Sequence, residues 1–218
     1  MSTENEWAAS MIGRTLDGQY RLDGILGEGA MGVVFRGTNL AVEKAVAIKM
    51  MRKGADSELA VRRFRYERQI LANLRHRNIA GLLDGGVTED HQPYFVMELV
   101  DGEPVTDHCD RQKLSIPARL ELFVQICSAV QHAHTKGIIH RDLKPSNVLV
   151  SVVDGQARAK VIDFGIATAT EVNLTERTLF TGHRQLIGTR EYVIPVQAER
   201  SVDLATRTDA YALAVLLY

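Results

Sequence analysis

The sequence predicts an α+β protein in two parts, divided near Asp101-Gly102-Glu103-Pro104. Two observations carry this. Up to about residue 100 most segments are short β-forming runs separated by glycine and polar turns, and beyond it helical apolar stripes predominate. A chain of 218 residues is long enough for one large domain or two small lobes with a sizeable core.

Residues 1–19 are polar without a clear period and read as a flexible lead-in. From Tyr20 the order is strand, glycine turn and strand: Tyr20 to Leu26, then Gly27-Glu28-Gly29-Ala30-Met31-Gly32, then Val33-Val34-Phe35-Arg36. A further strand follows at Ala45 to Met50. Leu59, Tyr66, Ile70, Leu71 and Leu74 recur at helical spacing across residues 56–76, and Glu67 lies among arginines in that helix. Glu67 is either half of a surface ion pair or a distant partner for Lys49, which sits in an apolar strand. Residues 78–87 and 93–100 read as two more strands. Ser115 and Pro117 open a long helix whose expected stripe is Leu120, Phe123, Ile126, Cys127, Val130 and His134, ended by Gly137. Short strands are expected at 138–139, 148–150 and 160–162, a surface loop over 166–190, and a last helix from about Arg207 to Tyr218.

Composition excludes several classes. Lys+Arg 26 against Asp+Glu 27 leaves a net charge of -1, so no basic field points to nucleic acid as a partner. No apolar run reaches the ~18 residues of a membrane helix. Cys109 and Cys127 form no C-x-x-C, which argues against a zinc site or disulfide framework and for a reducing, cytoplasmic setting.

The chemistry concentrates in His140-Arg141-Asp142-Leu143-Lys144-Pro145-Ser146-Asn147. A carboxylate, a lysine two residues on and an asparagine five on could accept a hydroxyl proton, steady a phosphate and hold a metal ion. Gly27, Gly29 and Gly32 fit G-x-G-x-x-G, but strand formers follow them where a dinucleotide-binding fold needs a helix. They suit a flap whose backbone N–H groups close over phosphates, or a plain hairpin.

Taken in order, the glycine flap, Val46-Ala47-Ile48-Lys49, the 140–147 stretch and Asp163-Phe164-Gly165 resemble the protein kinase family over roughly residues 20–218. Lys144 resembles its serine/threonine class. The wording of residues 26–32, 178–181 and 185–189 resembles bacterial Hanks-type kinases, especially planctomycete-like ones. The resemblance implies an N-lobe at 20–100, with an antiparallel sheet and one helix, and a partial helical C-lobe at 101–218. It implies ATP and Mg²⁺ or Mn²⁺ as cofactors. Asp142, Lys144, Lys49 and Glu67 would be catalytic; Asn147 and Asp163 would ligate the metal. Leu26, Gly27, Glu28, Gly29, Ala30, Met31, Gly32, Val34, Ala47, Lys49, Met97, Glu98, Val100 and Leu149 would contact the nucleotide. Leu71, Leu82, His140 and Phe164 match residues that stack between the lobes, and Asp209 matches a carboxylate that anchors the catalytic loop. Arg141 implies control by phosphorylation of a loop threonine, with Thr175, Thr178 and Thr181 as acceptors and trans-autophosphorylation or self-association as the route.

Two departures stand out. Val196 occupies the place of a usual glutamate, and the chain stops at Tyr218, within the helix bearing Asp209, before the family's later helices. The resemblance therefore implies a C-terminally truncated kinase acting on protein Ser/Thr. The alternatives are a truncated pseudokinase serving as an ATP-binding interaction module, and a small-molecule phosphotransferase.

Overall fold

The computed structural model describes residues 3–29, 32–51, 64, 68–69, 71–164 and 195–217. The chain divides into two compact units, Met1–Asp101 and Gly102–Tyr218, and the fold is α+β.

In the first unit, α1 (Thr3–Met11) precedes β1 (Thr15–Leu16), β2 (Tyr20–Gly29), β3 (Gly32–Asn39), β4 (Lys44–Met51), β5 (Leu82–Val87) and β6 (Pro93–Glu98). The six strands form one antiparallel sheet in the order β1-β2-β3-β4-β6-β5. Strand residues alternate between faces, and directly opposed residues share one. Register therefore puts Val33, Met50 and Tyr94, and likewise Phe35, Ile48 and Val96, on one face. Val34, Lys49 and Phe95, with Ala47 and Met97, take the other. The first face is the main core, joined by Leu22, Val46, Ala8, Met11 and Leu16.

Within the expected lead-in, the described residues from Thr3 onward carry α1 and β1. Helix α1 buries Ala8 and Met11, and β1 pairs with β2. The Tyr20 hydroxyl donates to Asp84 of β5 at 2.9 Å, and the Tyr94 hydroxyl to Asp17. Burial, aided by Asp84, pushes Tyr20 up to about 12, so it remains a donor at any physiological pH. Strand β5 starts at Leu82 rather than at 78, after a turn.

The second unit holds β7 (Glu103–Pro104), α2 (Val105–Arg111), α3 (Ile116–Thr135), a 3₁₀ turn (Pro145–Asn147), β8 (Val148–Val153), β9 (Gln156–Val161) and α4 (Pro195–Leu217). Its sheet runs β7-β8-β9. Helix α3 ends at a left-handed Gly137, whose N–H donates to His134 O at 2.9 Å while Ile138 N donates to Ala133 O at 3.0 Å. Its buried stripe is Leu122, Ile126, Ala129, Val130 and Ala133, displaced from the expected one, and Leu120 is exposed. The rotation is set by Gln125, which donates to Ala157 O at 3.3 Å and accepts from Ala159 N at 3.0 Å, so the helix presents that turn to β9. Ser115 holds the N-cap position, but its side chain makes no capping bond.

Ile138 and Ile139 are buried without forming a strand. Helix α4 begins at Pro195, a dozen residues before the expected start. Cys109 is buried, Cys127 half-buried, and both are free thiols that burial pushes above the ordinary cysteine range. Among the described residues no helix is long and apolar enough to cross a membrane. Ala30, Met31, Glu67, Gly165 and the 166–190 loop, with Thr175, Thr178 and Thr181, lie outside the described residues.

Candidate active site

In the second unit the 140–147 loop is built on one buried carboxylate. Asp209 of α4 is 0% exposed. Its Oδ2 accepts the His140 backbone N–H at 2.8 Å, and its Oδ1 accepts that of Arg141, also at 2.8 Å. These bonds hold Arg141 at φ 68, a left-handed conformation costly for a residue with a side chain. Asp163 is left-handed too, at φ 63.

The His140 ring is locked from both sides. A carbonyl can only accept, so Nε2 carries the hydrogen and donates to Ile162 O at 2.9 Å, leaving Nδ1 to accept from Asp142 N at 3.3 Å. The Phe164 ring meets it edge-on, with centroids 4.8 Å apart. Burial pulls the imidazole below its ordinary value and keeps it neutral.

Beyond this anchor the reactive groups converge. Lys144 Nζ donates to Asp142 Oδ2 at 2.7 Å. Asn147, buried on the 3₁₀ turn, gives its Nδ2 to Asp142 O at 2.7 Å and to Asp142 Oδ2 at 3.3 Å. Its backbone ties the loop to β9, since Ile162 N donates to Asn147 O at 2.9 Å. Asp142 and Lys144 remain half-exposed, at 55% and 51%. Leu149 lies beside them on β8, half-buried.

The amide orientation tests the metal assignment. With Nδ2 committed to a carbonyl, Asn147 Oδ1 is turned away as an oxygen donor. The Asp163 carboxylate is the only other group in the predicted set. Oxygen-only donors suit Mg²⁺ or Mn²⁺, so the residues fit such an ion.

In the first unit, Val34, Ala47, Lys49 and Met97 share one sheet face. Lys49 is 7% exposed, a deep position for an ammonium group. The glycines of the β2–β3 hairpin behave differently from one another. A Cβ on Gly32 (φ 152) would fall 2.1 Å from Met50 O, so the fold itself demands glycine there. A Cβ on Gly27 or Gly29 would meet nothing within 4 Å, and neither has positive φ. Leu26 to Gly29 are all exposed. Glu98 and Val100 are half-buried, with Glu98 N donating to Gly81 O at 2.9 Å.

Reading the sequence missed one participant. His134, expected only as a member of the helix's apolar stripe, places Nε2 at 2.8 Å from Asp209 Oδ2. The only sequence signal for it is a histidine six residues before His140 on a helix leading straight into the loop.

A glycine-tipped antiparallel hairpin, a buried strand lysine and an aspartate-anchored D-x-K-x-x-N turn are the arrangement of a protein-kinase fold. Residues 20–218 match the protein kinase domain, and the chain belongs to the protein kinase family. Its relatives are bacterial serine/threonine kinases of the Hanks type. The serine/threonine-protein kinase pkn3 of Myxococcus xanthus is 37% identical over 210 residues, covering 95% of this chain and 38% of the relative. PrkC of Bacillus subtilis is 36% identical over 211 residues, covering 95% and 31%. The chain thus spans well under half the length of these relatives. The crystal structure of the Mycobacterium tuberculosis PknI kinase domain is similar at a TM-score of 0.64 and 26% identity, over 94% of this chain and 74% of that one.

Proposed function

We propose that this chain transfers the γ-phosphoryl group of ATP to serine and threonine hydroxyls of proteins. The observation that carries the reading is the turn on which Asp142, Lys144 and Asn147 reach one another over the Asp209 anchor. Asp142 accepts or orients the substrate hydroxyl, and Lys144 places its ammonium where negative charge grows on the transferred group. Lys49 holds the α- and β-phosphates, with Glu67 as its partner. Val34, Ala47, Met97, Glu98, Val100 and Leu149 are the residues assigned to the adenine. The flap from Leu26 to Gly32 covers the phosphates, and the open space at Gly27 and Gly29 supports this, because neither the fold nor the backbone requires glycine there. Asn147 and Asp163 hold Mg²⁺ or Mn²⁺, which when bound neutralises phosphate charge.

Labelled ATP with Mg²⁺ and a generic protein substrate tests the reading. Phosphoserine or phosphothreonine forms with the wild-type chain, and Asp142→Asn reduces it at least ~100-fold. Failure to incorporate label at high enzyme concentration overturns it. If ATP·Mg²⁺ still raises the melting temperature, the chain is an ATP-binding interaction module instead. A panel of metabolites tests for small-molecule phosphotransfer.

We further propose activation by phosphorylation of Thr175, Thr178 or Thr181, read by the exposed Arg141 and performed between two copies. Autophosphorylation second-order in enzyme, and mapped to these threonines, is the expected result. A cytoplasmic site accords with the need for ATP and with two free thiols. Kinship with planctomycete-like kinases rests on the wording of residues 26–32, 178–181 and 185–189.

A further inference from the structure

Helix α1 takes no part in the chemistry above, and it precedes the residues that match the kinase domain. It is nonetheless built into the sheet. Ala8 and Met11 are buried in the cluster that holds Leu22 of β2, Val33 and Phe35 of β3, and Ile48 and Met50 of β4. Trp7 lies half-buried with its indole edge-on to the Phe35 ring, centroids 6.4 Å apart and planes at 76°. The chain leaving the helix is stitched to β2: Gly13 N donates to Leu22 O at 2.7 Å, and Leu22 N to Arg14 O at 2.9 Å.

These contacts fall on the back of the strands whose front is the nucleotide-binding face. Phe35 and Val34 are adjacent and point oppositely, and Val34 stands directly across from Lys49. The end of β2, Leu26 to Gly29, is exposed and is held by its pairing with β3. Its order depends on the base of β2 and β3, and the back of that base is the surface α1 covers.

We propose that α1 is a buttress for the nucleotide-binding face, and that Trp7 is a positioning residue for ATP acting through Phe35. The proposal rests on the nucleotide-binding reading given above. A displacement of Phe35 moves Val34 and the flap with it, and small misplacements of binding groups are costly. The effect falls on ATP, since the loop from 140 to 147 belongs to the other unit.

The test uses the full chain, with AMP-PNP and Mg²⁺ as the probe. Trp7→Ala raises the KM for ATP about fivefold or more, with kcat within about twofold and the KM for the protein substrate unchanged, and Trp7→Phe restores it. Trp7 is the only tryptophan, so wild-type emission reports the contact directly and is measurable even where Trp7→Ala does not fold. Emission should change on adding AMP-PNP, saturating at the concentration at which calorimetry shows binding. A Trp7→Ala protein that melts earlier yet binds ATP as wild type does overturns the proposal, as does emission that stays constant while calorimetry records binding. A wild-type chain that gives no binding heat overturns the nucleotide-binding reading itself, and the buttress with it.

Discussion

His134 and Asp209 stand 2.8 Å apart, Nε2 to Oδ2, and so join α3 to α4 through the oxygen that also accepts the His140 backbone N–H. The carboxylate is wholly buried and its oxygens serve three donors. It does not touch substrate. It fixes where the backbone beneath Asp142 lies, and His134 fixes the carboxylate.

Asp209→Ala leaves the buried His140 N–H and the part-buried Arg141 N–H without their acceptors, each worth about 1–3 kcal/mol. A loss of about 3 kcal/mol in denaturant unfolding is expected, together with loss of phosphotransfer. His134→Leu removes only the third donor and costs about 1 kcal/mol. His134→Gln, whose amide can also donate, should recover most of that loss. Equal unfolding midpoints for the leucine and glutamine variants would show that the histidine bond does not matter.

The Asp142–Lys144 pair separates chemistry from stability. Both groups are about half in water, where an ion pair contributes about 0–1 kcal/mol. Lys144→Ala should therefore leave the unfolding midpoint within error while cutting kcat by ~10²-fold or more. A large stability loss would mean the lysine serves the fold.

Much of the second unit's chemistry was legible because it is local. Asp142, Lys144 and Asn147 lie within one turn, so their spacing alone brings them together. Asp209 and His134 are 75 residues apart, and only the family pattern hinted at Asp209. Helix α1 escaped notice because it offers a single turn of burial, Ala8 and Met11, within a polar segment. Leu120 and Leu122 are equally apolar, and periodicity could not choose between them. The choice was made by Gln125, whose bonds to β9 depend on a strand more than thirty residues later. Glycine showed the converse: the motif treats Gly27, Gly29 and Gly32 alike, but the contacts of an added Cβ do not.

That difference predicts opposite outcomes within one motif. Gly32→Ala drives a methyl into the Met50 carbonyl and should destabilise the fold by about 1–3 kcal/mol. Gly29→Ala meets open space. Its melting temperature should match wild type while the KM for ATP rises, because the backbone can no longer approach phosphate as closely. Thermal unfolding and steady-state kinetics on the two variants decide the matter. If Gly29→Ala leaves the KM unchanged, the flap does not close on phosphate.

His140 sets a pH limit from inside the fold. Burial is the largest influence on its ring and lowers its pKa. The Ile162 carbonyl and the Asp209, Asp163 and Asp142 carboxylates oppose this without reversing it. The folded value therefore lies below the unfolded value of about 6.5, and the unfolded chain takes up the proton first. Stability from this group is complete above pH 6.5 and is lost as pH falls from there through the folded value. Protonation also sets a second N–H on Nδ1 against the Asp142 backbone N–H that Nδ1 now accepts. That repulsion acts at Asp142, proposed above to orient the substrate hydroxyl, so activity should fail over the same window. His140→Gln keeps a donor for Ile162 O but cannot titrate. Its unfolding midpoint should change less than that of wild type between pH 7.5 and 5.5, and equal slopes would remove His140 as the cause.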